Sequence, residues 1–531
     1  MKKIAFLLIV CISFCRMASG NGIVLSNLSS VPGAGFVQLQ FDLSWNNSWN
    51  NSINHDAAWV FFKFKDNDGT WHHLNLTNSN NTIAAGYTIA VPPDLTGAMI
   101  YRNSGLGTVT LTGVQLGVNN LPGNFDVRGF ALEMVQIPVG DTYYLGDGES
   151  GTYYSSNTGA PFLVNINSLS LGFGAGLLDD GIANTSVALN TSFPIAYNTL
   201  GAFQSLYMMK HEVSQAAYRD FLNTLTYAQQ ATRTGTTPSS ATGTMALLTS
   251  LIARRASIKI ATPGVAPGAP PSLGTPAVYG CDLSNNNVFN EVNDGEWIAC
   301  NYLSYMDLAA FLDWSALRPM SEMEFEKSCR GRLFPVVAEN AAGTDSAYGN
   351  QPGNLAYAIS NAGTANEAVT AYTGSVLFAN ITYNSTSPGG NSPTRVGIHA
   401  TANATRVSAG AGYYGALDLS GNIEEYTVTT ANVAGRSYTG INGDGKLTAS
   451  GNADEDFWPG INGNSTAATA NLVYGGVTGV TGQGGIITRG GSAGYTGANL
   501  NKVSYRIDPA PGGTTSYPRN NISGGRGVKN W

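Results

Sequence analysis

The first quarter of the chain alternates between apolar and polar residues in short runs. In one run, five apolar side chains stand at every second position: Val37, Leu39, Phe41, Leu43 and Trp45. This is the period of a strand with one buried face. Similar runs at 59–65, 98–102 and 108–118 are separated by turns rich in Asn, Gly and Pro. Residues 21–128 are therefore predicted to form an all-β sandwich, an architecture that serves as a spacer or adhesive module.

Beyond about Phe130, helical periodicity replaces this alternation in three short segments. Each begins at a predicted serine N-cap: Ser214 in SQAAYRDFLNTL, Ser304 in SYMDLAAFLDW and Ser321 in SEMEFEKSCRG. Glu324 completes a capping box with Ser321, and Gly331 is a natural stop for the third helix. Strands and Gly-rich loops surround these helices, so 129–531 is predicted to be an α+β domain with long loops. Within it, 234–276 is rich in Thr, Ser, Ala, Gly and Pro and predicts a low-complexity insertion.

The first twenty residues have the pattern of a secretory signal peptide. Lys2 and Lys3 precede an apolar run at 4–14, and the small residues at 18–20 fit a cleavage site. The apolar run is too short to span a bilayer, and no later segment is apolar enough to do so. The sequence therefore predicts an exported chain at the cell surface, in the extracellular space or in the periplasm, without membrane insertion.

Charge narrows the range of partners. Without 1–20 the chain keeps 24 of its 27 Lys and Arg residues against 34 Asp and Glu, a net charge of -10. Such an acidic chain is not expected to bind nucleic acid or an anionic membrane. Only 11% of residues are charged, so amides and hydroxyls supply most of the polar chemistry. A protein or glycan ligand at the cell envelope is the expected kind of partner.

A polar segment, CDLSNNNVFNEVNDGEWIAC, has the spacing of an EF-hand loop. Positions 1, 3, 5, 7, 9 and 12 fall on Asp282, Ser284, Asn286, Val288, Asn290 and Asn293. Because Asp282 is the one acidic side chain among them, a weak calcium loop and a plain polar loop are equally good interpretations. Three cysteines remain outside the signal peptide, and Cys281 and Cys300 bracket this loop, so we expect them to form a disulfide. A shorter echo around Asn442, Asp444 and Thr448 is interpreted as a turn.

Five blocks resemble the formylglycine-generating enzyme, or sulfatase-modifying factor, family. In chain order they read ALEMVQIPVGDTYYLGD, MMKHEVSQAAYRDFLN, NYLSYMDLAAFLDWSALRPMSEMEFEKSCRG, TRVGIHA with GYYGALDLSGNIEEY, and TRGGSAG with YRID and RNNISGGRGV. Together they cover roughly 130–531. The resemblance implies a C-type-lectin-like α+β fold with long loops.

The family's enzymes, as the resemblance implies, hold copper(I) on two cysteines shortly after Gly-Gly-Ser and oxidise a sulfatase cysteine to formylglycine with O2. In this chain those positions fall on Tyr495 and Leu500, or on Asn501 for the second when counted back from Tyr505. None is a thiol, and copper(I) needs soft thiolate ligands. No copper is therefore expected. Cys329 matches a structural family cysteine whose usual partner position falls on Gly527, so it is predicted to be a buried free thiol.

The resemblance also implies a calcium site. Carried over residue by residue, its ligands are Asp418, Gly421, Ile423 and Glu425, which supply two carboxylates and two backbone carbonyls. A second family site would start near Asn380 and Ile381, but an acidic partner for it is not evident.

No motif for another chemistry emerges. The chain contains no HExxH, CxxC or P-loop pattern. His72 and His73, with the aromatics around Trp59, could form a site, but a turn beside a packed sheet face explains them better. The C-type-lectin sugar tripeptides Glu-Pro-Asn and Trp-Asn-Asp are not found. The prediction is an exported, calcium-stabilised, non-catalytic binding or scaffolding protein, and the alternative is a formylglycine-generating oxidase or a divergent relative.

Overall fold

The structure, a computed structural model of the 531-residue chain, has two compact units, Met1–Glu133 and Met134–Trp531. It describes residues 17–18, 22–33, 36–118, 126–149, 152–155, 158–166, 168–179, 187–189, 191–197, 205–248, 254–269, 273–348, 359–370, 379–383, 392–431, 433–455, 458–459, 485–494, 498–506 and 519–531. The predicted signal peptide therefore lies almost wholly outside the described residues. None of the helices within these ranges is long and apolar enough to span a membrane.

The first unit is built from antiparallel strands. They are β1 (Met17–Ala18), β2 (Val24–Pro32), β3 (Val37–Asn50), β4 (Asp56–Lys65), β5 (Trp71–Leu74), β6 (Tyr87–Ala90), β7 (Ala98–Arg102) and β8 (Gly105–Val118), followed by β9 (Asp126–Pro138), which continues into the second unit. One sheet has the order β1-β2-β3-β8. A second contains β4 paired with β5 and β7, and β7 paired with β6.

The two sheets contribute side chains to one apolar core. Phe41 and Trp45 of β3 meet Val60 and Phe62 of β4 in this cluster, all at 1% exposure or less. Burying such side chains is the main favourable term for a domain of this size. The four strands predicted from the sequence are confirmed, since the run at 98–102 coincides with β7 and the others fall within β3, β4 and β8.

The histidine pair predicted as an alternative site belongs to the β4–β5 hairpin. His72 Nε2 lies 2.7 Å from the Asp66 carboxylate and stacks beside Phe64, whereas His73 Nε2 lies 2.6 Å from the Thr96 carbonyl oxygen. Trp59 is fully buried. These contacts fit the packed-sheet interpretation, because His72 bonds within the hairpin turn and His73 ties the hairpin to Thr96.

The second unit contains many short strands. They are β10 (Tyr143–Leu145), β11 (Tyr154–Ser155), β12 (Phe162–Val164), β13 (Ser170–Leu171), β14 (Leu178–Asp179), β15 (Val187–Ala188), β16 (Ser205–Met209), β17 (Ile258–Thr262), β18 (Val278–Cys281), β19 (Ala347–Tyr348), β20 (Ile359–Ser360), β21 (Ala368–Val369), β22 (Ala379–Asn380), β23 (Glu424–Val428), β24 (Ile486–Arg489), β25 (Ser523–Gly524) and β26 (Val528–Asn530). The end of β9 pairs with β16, which pairs with β26. Strand β23 lies between β24 and β25.

The helices of this unit are α1 (Gln215–Leu222), α2 (Tyr227–Arg233), α3 (Tyr305–Trp314), α4 (Glu322–Arg330) and α5 (Val433–Arg436), with a 3-10 turn at Ala498–Asn501. The three predicted helices and their serine caps are confirmed, and Ser304 and Ser321 both form capping boxes. Helices α1 and α3 pack through aromatic rings, with Phe221 and Trp314 centroids 5.4 Å apart. The polar sequence of α2 gave no apolar stripe by which to predict it.

The segment predicted as an insertion, 234–276, is partly built into the core. Its strand β17 pairs with β18. Ala246, Leu247, Ile258 and Ile260 are buried. Small residues had suggested a loop, but their small side chains also allow close packing of turns against a sheet.

Candidate functional site

A group of buried charges lies where the loop 417–423 enters the central strand β23. Glu425 is the second residue of β23, and both of its carboxylate oxygens accept hydrogen bonds from Arg526, at 2.7 and 2.8 Å. Both side chains are fully buried. The Arg526 guanidinium also donates to the carbonyl oxygens of Met209, Lys210 and Leu417. Arg526 therefore ties β23 to two other segments and takes up the charge of Glu425.

Asp418 and Glu212 lie close enough to this ion pair to interact with it electrostatically. Asp418 adopts a left-handed backbone conformation, with φ at 57°, and its Oδ2 accepts a hydrogen bond from the Gly397 amide. Glu212, just before α1, accepts from the Ile423 amide at 3.0 Å and from the Asn422 side chain. Glu212 was not predicted as a site residue, because it lies about 200 positions from the loop that it holds.

The electrostatic balance of this group is negative. Three buried carboxylates, Glu212, Asp418 and Glu425, face one guanidinium, that of Arg526, so the group carries a net charge of -2 when all are ionised. Burial, followed by the charges of Asp418 and Glu425, raises the pKa of Glu212 well above its ordinary range. Among the described residues, neither Glu212 nor Asp418 has a Lys or Arg at ion-pair distance. A divalent cation bound by hard oxygens would balance the charge.

A second buried charge network lies at the start of α4. Glu322 accepts from Arg489 at 2.6 Å and from Arg506 at 2.7 and 2.9 Å. Arg489 also reaches Glu326, which pairs in turn with Arg330. These side chains are essentially fully buried. Burial opposes the ionised form of Glu322, but the charge and hydrogen bonds of Arg506, with Arg489, lower its pKa to about 2.

Of the two positions at which the resemblance places copper cysteines, the second lies among the described residues and the first does not. Tyr495 lies outside the described residues. Leu500 is half-buried and Asn501 is 1% exposed, at the end of the 3-10 turn. The Asn501 side chain lies against Gly491, and neither its Oδ1 nor its Nδ2 has a hydrogen-bond partner among the described residues. The position therefore holds a neutral amide with no thiol in its place.

The family model of the Sulfatase-modifying factor enzyme 1-like domain matches residues 182–526. The chain belongs to the sulfatase-modifying factor family. No curated protein matches it significantly. The matched range contains Glu212, Asp418, Glu425 and Arg526 and the α4 network, but it begins after β9 and so excludes the whole first unit.

The second family site predicted for calcium, at Asn380 and Ile381, is used for packing. The Asn380 amide donates to the Ser408 carbonyl oxygen at 2.7 Å. The Ile381 side chain lies in an apolar cluster with Ala379 and Tyr383. These contacts give both side chains a structural role, and a calcium site at these residues stays a prediction.

The EF-hand-like loop is organised around a lysine. Lys259 of β17 places its Nζ 2.8 Å from Asp282 Oδ2 and 2.7 Å from Asn285 Oδ1. The other predicted ligands serve the loop itself: Ser284 donates to Asp282, Asn286 accepts from the Val288 amide, and Asn290 accepts from the Cys281 amide. Val288 is 53% exposed. The Lys259 ammonium group thus pairs with the one acidic residue among the predicted ligands, and the Asn293 carbonyl oxygen lies beside Gly363. Calcium binding by this loop stays a prediction.

The structure corrects the predicted disulfide. Cys281 and Cys300 are free, buried thiols, as is Cys329. The loop between the first two is closed by hydrogen bonds, with the Asn290 amide donating to the Cys281 carbonyl oxygen at 2.8 Å and the Leu283 amide to that of Asp294. A covalent link is therefore not needed to close it. Cys329 matches its prediction as a buried free thiol.

A cluster of carboxylates was missed by sequence reasoning. Asp313 of α3 meets Asp444, Asp454 and Glu455, with one carboxylate oxygen of each within 4.8 Å of the others. Asp313 also accepts from the amides of Asp444 and Asp454. The loop 440–455 had been interpreted as a turn because Gly440 stands where a first acidic ligand would be. The buried acid comes instead from a helix more than a hundred residues earlier, which no local spacing reveals.

Proposed function

We propose that this chain is a non-catalytic binding or scaffolding member of the sulfatase-modifying factor family, exported by its signal peptide and stabilised by calcium. The observation that supports this most directly is the identity of the residues at the copper positions. Tyr495, Leu500 and Asn501 offer a phenol, an alkyl group and an amide. A copper(I) centre requires soft ligands, which thiolates supply and these groups do not.

The other thiols do not compensate for this loss. The three cysteines of the second unit are buried and free, and burial raises the pKa of Cys281 to about 12. A thiol in that state is neither a ready nucleophile nor a ready metal ligand. The residues present therefore do not fit copper, and no oxidation step is assigned to them.

The test is the family's reaction itself. Purified protein loaded with copper(I) is incubated with a sulfatase-motif cysteine peptide and O2, and the peptide mass is followed, with an active family enzyme as the positive control. We expect no conversion of cysteine to formylglycine. Copper-dependent turnover would overturn the proposal and favour the alternative, an oxidase-type enzyme with unfamiliar ligands.

Calcium is proposed at the group formed by Asp418, Glu425 and the carbonyls of Gly421 and Ile423. Three buried carboxylates around one guanidinium support it. Because Glu425 is already engaged by Arg526, Asp418 is the ligand to test. Calcium that binds the folded form alone should stabilise it by about 2.7 kcal/mol at a hundredfold excess over the Kd. Melting temperatures are compared with calcium and with chelator. Asp418→Asn should abolish the response, and a wild type indifferent to chelation would exclude the site.

The second unit is proposed to have the C-type-lectin-like arrangement of the family, and the first unit to be a sandwich that serves as a spacer or adhesive module. The acidic charge and the abundance of amides and hydroxyls support a protein or glycan ligand at the cell envelope. Binding of fluorescently labelled protein to whole envelopes, with each unit's surface residues varied in turn, would test which unit carries the contact.

A further inference from the structure

An apolar patch lies on the surface of the second unit, where the segment after α4 meets the β10–β12 hairpin. It consists of Tyr144, Leu163, Leu333, Phe334, Val336 and Val337. Tyr144 and Leu163 are directly opposite each other in the hairpin, so their side chains lie on the same face. The Phe334 ring packs edge-on against Tyr144 with centroids 5.0 Å apart, which joins the hairpin to the 333–337 segment.

The patch is exposed to an unusual degree. Phe334 is 64% exposed and Val337 54%, and Leu163, Leu333 and Val336 lie between 39% and 46%. Side chains of this number and size present roughly 400 Å² of apolar surface, which is within the range that marks functional patches on monomers. Single exposed apolar residues need no explanation, but these lie on two segments that the Phe334–Tyr144 contact brings together.

The segment that carries the patch is held firmly at its base. Arg330 pairs with Glu339 across the segment, and the Ala338 amide donates to Asp147 at 3.1 Å. The Glu339 carbonyl oxygen also accepts from the Val503 amide. An exposed apolar segment that is already ordered loses little conformational entropy on association, so it is suited to binding.

The charges beside the patch are balanced. Arg332, which follows α4 and is 59% exposed, pairs with Asp141 at 2.9 Å, and Lys502 lies 3.7 Å from Glu149. A surface that is complementary to an acidic or basic partner would carry one sign of charge, whereas a two-fold interface must be complementary to itself and so needs both. Because the chain carries a formal net charge of -7, two copies repel each other at long range, and a locally neutral contact surface lowers that repulsion.

We propose that two copies of this chain associate through this patch in a symmetric dimer. A standard interface buries roughly 800 Å² on each partner, of which a little over half is apolar. The apolar patch supplies that share, and the Arg332–Asp141 and Lys502–Glu149 pairs supply a polar rim. Phe334, central and aromatic, is the anchor of the contact.

Sedimentation velocity of the purified full chain, at concentrations from about 1 to 100 µM, tests the proposal. We expect a concentration-dependent dimer, and at least about a tenfold weaker Kd for Phe334→Ser, as for the loss of an interface anchor. Val337→Asp should act in the same way. Val292→Ser is the matched control, since Val292 is 79% exposed but belongs to the loop after β18.

Thermal melting accompanies each variant, and unchanged melting temperatures would show that the variants fold. A wild type that stays monomeric at the highest concentration would overturn the proposal, and the patch would then belong to a different partner. A dimer that Phe334→Ser and Val337→Asp leave intact would overturn it equally, because the contact would lie elsewhere.

Discussion

Replacing Glu322 by Gln should be among the most damaging conservative changes in the second unit. The substitution keeps the size of the side chain and one hydrogen-bond acceptor but removes a charge that two buried guanidinium groups share. Arg489 lies 2.6 Å and Arg506 2.7 Å from the Glu322 carboxylate, and all three side chains have zero exposure. After the change, the network of Glu322, Glu326 and Glu339 with Arg330, Arg489 and Arg506 carries an uncompensated positive charge.

Two independent routes give the magnitude. Breaking a buried pair by removing one partner costs about 3 to 5 kcal/mol, because the remaining charge stays buried. The pKa of Glu322 falls from 4.5 to about 2, and at about 1.4 kcal/mol per pKa unit the ionised form contributes about 3 kcal/mol. We therefore expect Glu322→Gln to lower the free energy of unfolding by about 3 to 4 kcal/mol at pH 7.

The assay is thermal unfolding by calorimetry at several pH values. Because the folded pKa of Glu322 lies below its unfolded value, its contribution is fully present above about pH 4.5 and is lost as pH falls toward 2. The difference between wild type and variant should therefore shrink over that window. Glu149→Gln is the matched control, since Glu149 is 46% exposed and 3.7 Å from Lys502, and it should cost about 1 kcal/mol or less.

A cost below about 1 kcal/mol at pH 7, or a difference that does not change between pH 4.5 and 2, would contradict this reasoning. Either result would mean that water reaches the network and screens it. A double variant with Arg506→Met adds a further check, since its cost should be well below the sum of the single changes if the two groups interact directly.

Two further predictions concern a buried histidine and a closely packed glycine. Burial, and then the charge of Arg395, lowers the pKa of His399 from 6.5 to about 3. As pH falls, the unfolded chain therefore binds a proton at this histidine before the folded chain does, and the free energy of unfolding should drop by about 2 kcal/mol between pH 6.5 and 5. In His399→Gln this part of the pH dependence of the melting temperature should disappear. The same pH dependence in the variant and the wild type would refute this role for His399. Gly146 has φ at 68°, and a Cβ there would lie 1.5 Å from the Tyr153 carbonyl oxygen, whereas Gly159, at 66°, has open space around it. Gly146→Ala should lower the free energy of unfolding by more than about 2 kcal/mol, and Gly159→Ala by about 1 kcal/mol. The measurement is the denaturant midpoint of each variant. Equal losses for the two variants would argue against a close approach of position 146 to the Tyr153 carbonyl oxygen.

The elements that were predicted well are those specified by neighbouring residues. Serine caps sit at fixed positions relative to the amides they accept from, so Ser214, Ser304 and Ser321 located their helices without reference to the rest of the fold. The strand β7 coincides with its predicted run for the same reason, because alternation is a local property. Helix α2 was missed because seven mostly polar residues show no apolar stripe.

What could not be predicted depends on residues distant in the chain. The polar loop after β18 has the spacing of a calcium loop, and only the structure reveals that Lys259 from the paired strand reaches Asp282. The carboxylate cluster requires Asp313 of α3 beside Asp444 and Asp454. The same holds for Glu212, whose contact with Ile423 joins two of the sequence blocks. In each case the spacing along the chain carries no information about the partner.

The five sequence blocks, each weak alone, meet in the structure through buried polar contacts. Glu326 of the third block accepts from the Gly146 amide of the first and pairs with Arg489 of the fifth. Arg526 of the fifth block pairs with Glu425 of the fourth, and Glu212 of the second holds the amide of Ile423.

None of these contacts involves the positions of the copper cysteines. The blocks by which the family is recognised therefore include residues that assemble its fold. This chain has no cysteine at either position and still matches the family over 182–526. Membership in the family consequently establishes the scaffold of this protein, while its chemistry has to be argued from the copper positions alone.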